Sequence, residues 1–221
     1  MANEKPEEDS NSPSGNGIIE RIELRGAGGV TAKVTLTGGS SFFISWDFIA
    51  SEDLYHGKEL SPEAIDRIRQ ASKRQEACNK ALRFLSLRDH SVFELREKLR
   101  NKGFPQDVIE QVLESLRREG VLSDERFAVN YLSSRIRRNP EGYAVLYSRL
   151  LQKGLNRETA LKALEEVYTS EAERELLDRL YEKLTIKAPV PEEELIQRLQ
   201  AKGFSYSRIR EYLRERKDSD Y

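Results

Sequence analysis

From Ile18 onward, apolar and polar residues alternate with a period of two. Ile18, Ile22 and Leu24 alternate with Arg21, Glu23 and Arg25, and Val30, Ala32, Val34 and Leu36 alternate with Thr31, Lys33, Thr35 and Thr37. The apolar run Phe42-Phe43-Ile44 follows, and glycine-rich breaks fall at 26–29 and at Gly38-Gly39-Ser40. This pattern predicts three short strands joined by glycine turns into an antiparallel meander. One face of such a sheet needs cover, and Trp46, Phe48, Ile49, Leu54 and Tyr55, on a short following helix, are the candidates. Residues 1–16 carry Pro, Ser, Asn, Gly and Glu with little to bury, which predicts a disordered tail.

After Tyr55 the period lengthens. Ser61-Pro62-Glu63 is a helix start, with a capping hydroxyl and then proline at the first helical position. No strand pattern occurs beyond it. Instead, a motif recurs three times: Leu95 and Leu99 before Lys102-Gly103-Phe104, Leu146 and Leu150 before Lys153-Gly154-Leu155, and Leu195 and Leu199 before Lys202-Gly203-Phe204. A spacing of about fifty residues signals repeated structural units. The leucines at i and i+4 share one helix face. The glycine ends the helix in a left-handed conformation, the lysine complements the negative end of the helix dipole, and the apolar residue folds back as the cap contact.

An amphipathic helix follows each motif, through Val108, Ile109, Val112, Leu113 and Leu116, through Ala160, Leu161, Leu164 and Val167, and through Ile209, Tyr212 and Leu213. Another precedes each, near 77–87, 126–138 and 171–186. Ser91-Val92-Phe93-Glu94 and Ser170-Glu171-Ala172-Glu173 read as capping boxes. The fold class expected is mainly α, with three tandem three-helix, helix-turn-helix-like repeats in an elongated curved array after a small three-stranded antiparallel β domain. The expected division is an acidic tail (1–16), a β-meander domain with a short helix (17–60), a helical linker (61–73), repeats at 74–121, 122–168 and 169–217, and a C-terminal tail (218–221).

Composition narrows the chemistry. The 221 residues hold 38% hydrophobic and 34% charged side chains, with net charge -1. No apolar run is long enough to span a bilayer, and the polar start lacks a signal-peptide pattern. One cysteine, Cys78, excludes a disulfide framework and suits a cytoplasmic protein. Cys78, His56 and His90 are too few for a zinc site of the usual donors. The stretch Gly26-Ala27-Gly28-Gly29 has neither the spacing of a dinucleotide fingerprint nor a following Gly-Lys-Ser/Thr. No cofactor, no metal and no enzymatic constellation are expected.

The segment Ala81-Leu82-Arg83-Phe84-Leu85-Ser86-Leu87-Arg88, with Ser91 and Glu94-Leu95, resembles the opening repeat of the RecX regulatory family. Gly120-Val121-Leu122-Ser123-Asp124-Glu125-Arg126-Phe127-Ala128 and Lys153-Gly154-Leu155 also resemble that family, and the match covers roughly 77–216. It departs at Ser123, where the family often carries a second acidic residue. The N-terminal meander is similar to an extension of its longer members. The resemblance implies tandem three-helix repeats in a non-catalytic regulator of recombination, DNA repair and the SOS response. It implies binding to the RecA recombinase filament on single-stranded DNA, within the helical groove, with inhibition of ATP hydrolysis, strand exchange and filament growth. An elongated array also suits bridging of several filament subunits. A monomer is expected. The alternative is a direct DNA-binding protein, each unit placing a helix in a groove, although weak DNA contact is compatible with filament binding.

Charge is unevenly distributed. Residues 1–20 carry one cation and five anions, whereas 74–168 carry 18 cations and 14 anions. Within this basic band the cluster Arg135, Arg137 and Arg138 at a helix end suits phosphate or carboxylate contact, and dipole complementarity explains it equally. Arg149, Arg157, Lys98, Arg100 and Tyr143 are further candidates for the partner surface. The lysines Lys102, Lys153 and Lys202 are read as helix-end residues, Cys78 as a small buried residue, and His90 as a loop histidine.

Overall fold

The computed structural model of the protein describes residues 17–25 and 31–219. The expected tail at 1–16 and glycine turn at 26–29 lie outside them. The chain divides into two units, 1–79 and 80–221.

The first unit carries a sheet of β1 (Gly17–Arg25), β2 (Thr31–Leu36), β3 (Ser41–Ser45) and β4 (Glu59–Leu60), in the antiparallel order β3-β2-β1-β4. The meander thus gains a fourth strand, because Gly17 and Ile18 pair with Leu60 and Glu59. The alternation also breaks inside β1. Ile19 pairs with Leu36, but Arg21 pairs with Thr35 across a register shift. Such a bulge moves the inward face by one residue, so Ile19 is fully buried while Ile18 is exposed.

The short helix α1 (Trp46–Ser51) is capped by Ser45 Oγ, which accepts from Phe48 N at 3.3 Å. It buries Ile49 but leaves Trp46 exposed, and Tyr55 is exposed as well. Leu54 and, in part, Phe48 join the core as expected, and the rest of the cover comes from the next helix, α2 (Pro62–Leu85), through Ile65, Ile68 and Ala71. Ser61 Oγ accepts from Ala64 N at 3.3 Å, as its helix-start sequence predicts. The 24 residues of α2 are one helix, where the sequence suggested a linker and a separate helix, because no glycine or proline interrupts them after Pro62. Cys78 on α2 is half-buried.

The second unit is three helical triplets. The first comprises the end of α2 from Lys80, α3 (Val92–Arg100) and α4 (Gln106–Arg118). The second is α5 (Asp124–Arg138), α6 (Tyr143–Gln152) and α7 (Arg157–Val167), and the third is α8 (Ser170–Thr185), α9 (Glu192–Ala201) and α10 (Tyr206–Ser219). The repeated leucines Leu95, Leu99, Leu146, Leu150, Leu195 and Leu199 are all buried. The repeated glycines end α3, α6 and α9 with φ of +83°, +81° and +92°. The next amide bonds back five residues, as Phe104 N to Leu99 O, Leu155 N to Leu150 O and Phe204 N to Leu199 O. These are Schellman caps, for which glycine avoids the Cβ penalty.

Ser91 caps α3 as expected, accepting from Glu94 N at 3.0 Å. The second expected capping box shifts by one residue. Thr169, not Ser170, caps α8 and accepts from Ala172 N at 3.2 Å. Glu173 instead binds Tyr168 Oη and Arg208. Ile136 and Tyr168 pack against the cores of both the second and third triplets.

Candidate partner-binding site

The triplets join through helix ends. At the seam between the first and second, Ser91 Oγ donates to the carbonyl of Lys153 at 2.7 Å while accepting from Glu94 N. Glu94 is the hub of that seam. Its Oε1 accepts from Lys153 Nζ at 2.7 Å, and its Oε2 faces Arg88 at 2.9 Å and His90 Nδ1 at 3.2 Å. Burial alone would raise its pKa, but the hydrogen bonds and charges of Arg88 and Lys153 pull it down to about 2. His90 lies in the loop before α3, as read from the sequence, but it is buried there. It is 3% exposed, and burial and then Arg88 lower its pKa.

The residues of the 123–128 segment brace the same seam. Asp124 Oδ1 accepts from Val92 N at 2.8 Å. Arg126 donates to Asp89 and to the carbonyls of Gly120 and Val121. Asn130 donates to Asp89 at 2.6 Å. Phe127 enters the core of the second triplet. The most distinctive stretch of the sequence therefore holds the fold at the seam.

A cleft of about 490 Å³ opens beside it, lined by Arg88, Asp89, Glu94, Phe127, Asn130, Tyr131, Ser134, Arg135, Arg138 and Lys153. Most of its charges are already engaged. Arg135 binds Glu141 through two bonds of 2.7 and 3.0 Å, and Arg149 binds the same carboxylate at 2.8 and 2.9 Å. Glu141 is 7% exposed, and the two arginines hold its pKa low against its burial. Arg138 is exposed and, among the described residues, has no hydrogen-bond or ion-pair partner.

The eight candidate residues do not form one constellation. Arg135 and Arg149 converge on Glu141, inside the second triplet. Arg137 donates to the carbonyl of Ser133 at 3.2 Å. Arg138 faces the cleft. Arg157 is exposed in the first turn of α7, where the helix dipole disfavours a cation, and no described residue pairs with it. Lys98 lies over the Phe84 ring at 4.9 Å, and Arg100 pairs with Glu97. Tyr143 stacks on Tyr147 and meets Tyr168 edge-on, beside a second groove that Phe204 and Tyr206 also line.

Sequence reasoning missed Arg88, Tyr131 and the Glu94–Lys153 pair. Lys153 satisfied the helix-end rule by itself, so nothing local pointed to a partner 59 residues away. On α10, Arg208, Arg210, Arg216 and Lys217 are all paired with acids of the third triplet. Among the described residues, no three His, Cys, Asp or Glu side chains are grouped so as to hold a metal ion. No described helix is long and apolar enough to cross a membrane.

Comparison with known proteins places this geometry. Residues 77–116 match the family described as RecX, first three-helix domain, and residues 123–164 match RecX, second three-helix domain. The chain is 31% identical over 173 residues to the regulatory protein RecX of Bacillus subtilis, covering 76% of this chain and 66% of that one. It is 26% identical over 176 residues to that of Streptococcus uberis, covering 78% and 67%. The aligned region thus spans about two thirds of those relatives' length. A crystal structure of regulatory protein RecX superposes with a TM-score of 0.76 at 25% identity, over 90% of this chain and 99% of that one. The crystal structure of RecX from Lactobacillus salivarius superposes at 0.60 with 27% identity, over 66% and 97%. Two matched three-helix domains, these relatives and a shared fold that includes the N-terminal sheet lead to one conclusion: the chain belongs to the RecX family of regulatory proteins.

Proposed function

We propose that this chain is a non-catalytic regulator that binds the RecA recombinase filament on single-stranded DNA. In this reading it lies in the filament groove as a cytoplasmic monomer, touches more than one subunit, and slows ATP hydrolysis, strand exchange and filament growth. The observation that carries it is the pair of seams, Ser91 to Lys153 and Gly142 to Lys202, both built from hydrogen bonds to helix-end carbonyls. Seams of this kind hold three triplets in fixed relation, so weak contacts on separate triplets add through effective concentration. A ligand that holds neighbouring subunits in one geometry opposes the changes that accompany nucleotide turnover.

Arg138 and Arg157 are the residues we assign to the partner. Both are exposed cations that the fold leaves unpaired among the described residues, unlike Arg135 and Arg149. A groove-filling protein uses such charges to orient against phosphate or carboxylate. Direct reading of duplex DNA is less well supported. The helices α4 and α7 expose Glu110, Glu114, Glu158, Glu165 and Glu166, which repel phosphates.

The test is the ATPase rate of the cognate recombinase on single-stranded DNA, titrated with this protein and with its Arg138→Glu/Arg157→Glu variant. Inhibition below one protein per recombinase subunit, weakened in the variant, is expected. Tight binding to bare duplex with no effect on the recombinase would overturn the reading.

A further inference from the structure

Three helices end in the same Lys-Gly-apolar cap, and among the described residues two of the ends are occupied. The end of α6 receives the start of α3. Lys153 O accepts from Ser91 Oγ at 2.7 Å, Lys153 Nζ reaches Glu94 at 2.7 Å, and any Cβ on Gly154 would collide with Phe93 Cβ. The end of α9 receives the start of α6 in the same way. Lys202 O accepts from Gly142 N at 2.8 Å, Gly203 O accepts from Ala144 N at 3.3 Å, and a Cβ on Gly203 would lie 2.8 Å from Val145 N.

The end of α3 has the same backbone and no occupant among the described residues of its unit. Gly103 has φ +83° and Phe104 N bonds to Leu99 O, so the cap is formed. Within its unit nothing stands within 4 Å of where a Gly103 Cβ would be. Leu155 and Phe204, at the occupied ends, are 4% and 3% exposed, whereas Phe104 is only half-buried. Lys102 is exposed with no described partner, as Lys202 is at its end, whereas Lys153 holds Glu94.

We propose that Lys102, Gly103 and Phe104 form a docking surface for the N-terminus of a helix from another protein. That helix carries Ser or Gly at its cap and Glu three residues on. The donating cap is read from both filled seams, and the glutamate from the Ser91–Lys153 seam alone. The incoming cap must donate to the Lys102 carbonyl, as Ser91 Oγ and Gly142 N do at their ends. The acid at the third helical position meets Lys102, as Glu94 meets Lys153. The start of the incoming helix, positive by its dipole, faces the negative end of α3. The absence of a side chain at Gly103 lets the two helix ends approach.

A second copy of this chain is not the occupant. Among the described residues, the start that corresponds to those of α3 and α6 in the third triplet is that of α9, capped by Pro191, with Glu194 at the third helical position. Proline has neither an N–H nor a hydroxyl to donate. Pro191 therefore stops the head-to-tail series that Ser91 and Gly142 continue.

This difference supplies the probe. Pro191→Ser turns Pro-Glu-Glu-Glu into the Ser-x-x-Glu pattern of 91–94. Gly103→Ala in the same chain adds a Cβ that blocks its own acceptor end. The ¹⁵N-labelled wild-type protein is titrated with unlabelled Pro191→Ser/Gly103→Ala protein and followed by amide chemical shifts. Saturable shifts confined to residues 100–105 are expected, with binding at least about tenfold weaker for the Gly103→Ala chain that keeps Pro191. Pro191→Gly, which mimics Gly142, should reproduce the effect. Labelled Lys102→Glu protein should not respond. No shifts at 100–105 with either donor, or equal shifts with Pro191 retained, would overturn the assignment.

Discussion

Glu94 Oε1 and Lys153 Nζ meet at 2.7 Å across the seam between the first two helical triplets, with Glu94 only 13% exposed and Lys153 36%. The carboxyl titrates near 4.5 when free and at about 2 in the fold. A depressed folded pKa gives stability that is complete above about pH 4.5 and is lost as pH falls towards 2. The full shift corresponds to an upper bound of about 3 kcal/mol, and exposure of Arg88 and Lys153 reduces it to about 1–2 kcal/mol. Glu94→Gln should therefore lower the urea unfolding free energy by that amount at pH 7, with the gap closing below pH 4. His90 adds a second limb. Burial lowers its folded pKa below 6.5, so stability begins to fall as pH drops beneath that value. The variant should keep this upper limb and lose the lower one. Parallel curves for the two proteins from pH 7 to pH 3 would disprove the linkage.

Gly142 and Gly203 are in backbone contact. A Cβ on Gly142 would overlap the carbonyl of Gly203 and the amide of Phe204, and no flexible side-chain tip is there to yield. Gly142 itself has φ -81°, so alanine fits its backbone and fails on space alone. Gly142→Ala should destabilise by about 2–3 kcal/mol, as overpacking does. The loss should concentrate in the third triplet. Hydrogen exchange should speed up at α8, α9 and α10 while the α3 and α4 amides keep their protection. The seam at Gly154 differs, because its obstacle is the side chain of Phe93. The nearest atom there is Phe93 Cβ, which alanine would keep, so adding Phe93→Gly to Gly154→Ala should cost less than the sum of the two single changes. Additive costs would mean that the pair does not form the close contact.

The caps and the repeat were legible because they are local. A glycine after an i, i+4 leucine pair ends a helix wherever that helix goes, and all three did so with positive φ. The second unit's helices could be placed for the same reason. What stayed hidden is long-range. Lys102, Lys153 and Lys202 look alike in sequence, yet among the described residues Lys153 alone holds a half-buried glutamate of another triplet. Arg135, Arg137 and Arg138 read as one basic cluster, but Glu141 takes Arg135 into the fold and leaves Arg138 outside. The bulge in β1 was invisible because Ile18 and Ile19 are both apolar, and only their pairing partners decide which is inside. The fourth strand is two residues long, too short for any period to register.

Arg135 and Arg138, three residues apart on α5, should respond oppositely to substitution. Arg135 shares the nearly buried Glu141 with Arg149, so removing it leaves that carboxylate half-satisfied. Arg135→Ala should cost about 1–3 kcal/mol of stability, in the range for charge-assisted bonds with little solvent to replace them. Arg138→Ala removes an exposed side chain with no described partner, and its cost should stay within about 0.5 kcal/mol. In partner binding the order reverses. Arg138→Ala should weaken association and flatten its dependence on salt, since a free cation contributes its full charge to the interface. Arg135→Ala, measured well below its melting temperature, should bind nearly as the wild type. Calorimetric unfolding beside recombinase-filament binding at two salt concentrations separates these outcomes. If Arg135→Ala lost binding while keeping its stability, the Glu141 pairing would not sequester it, and the contact would have to move from the Arg138 side of α5 to the Glu141 cluster.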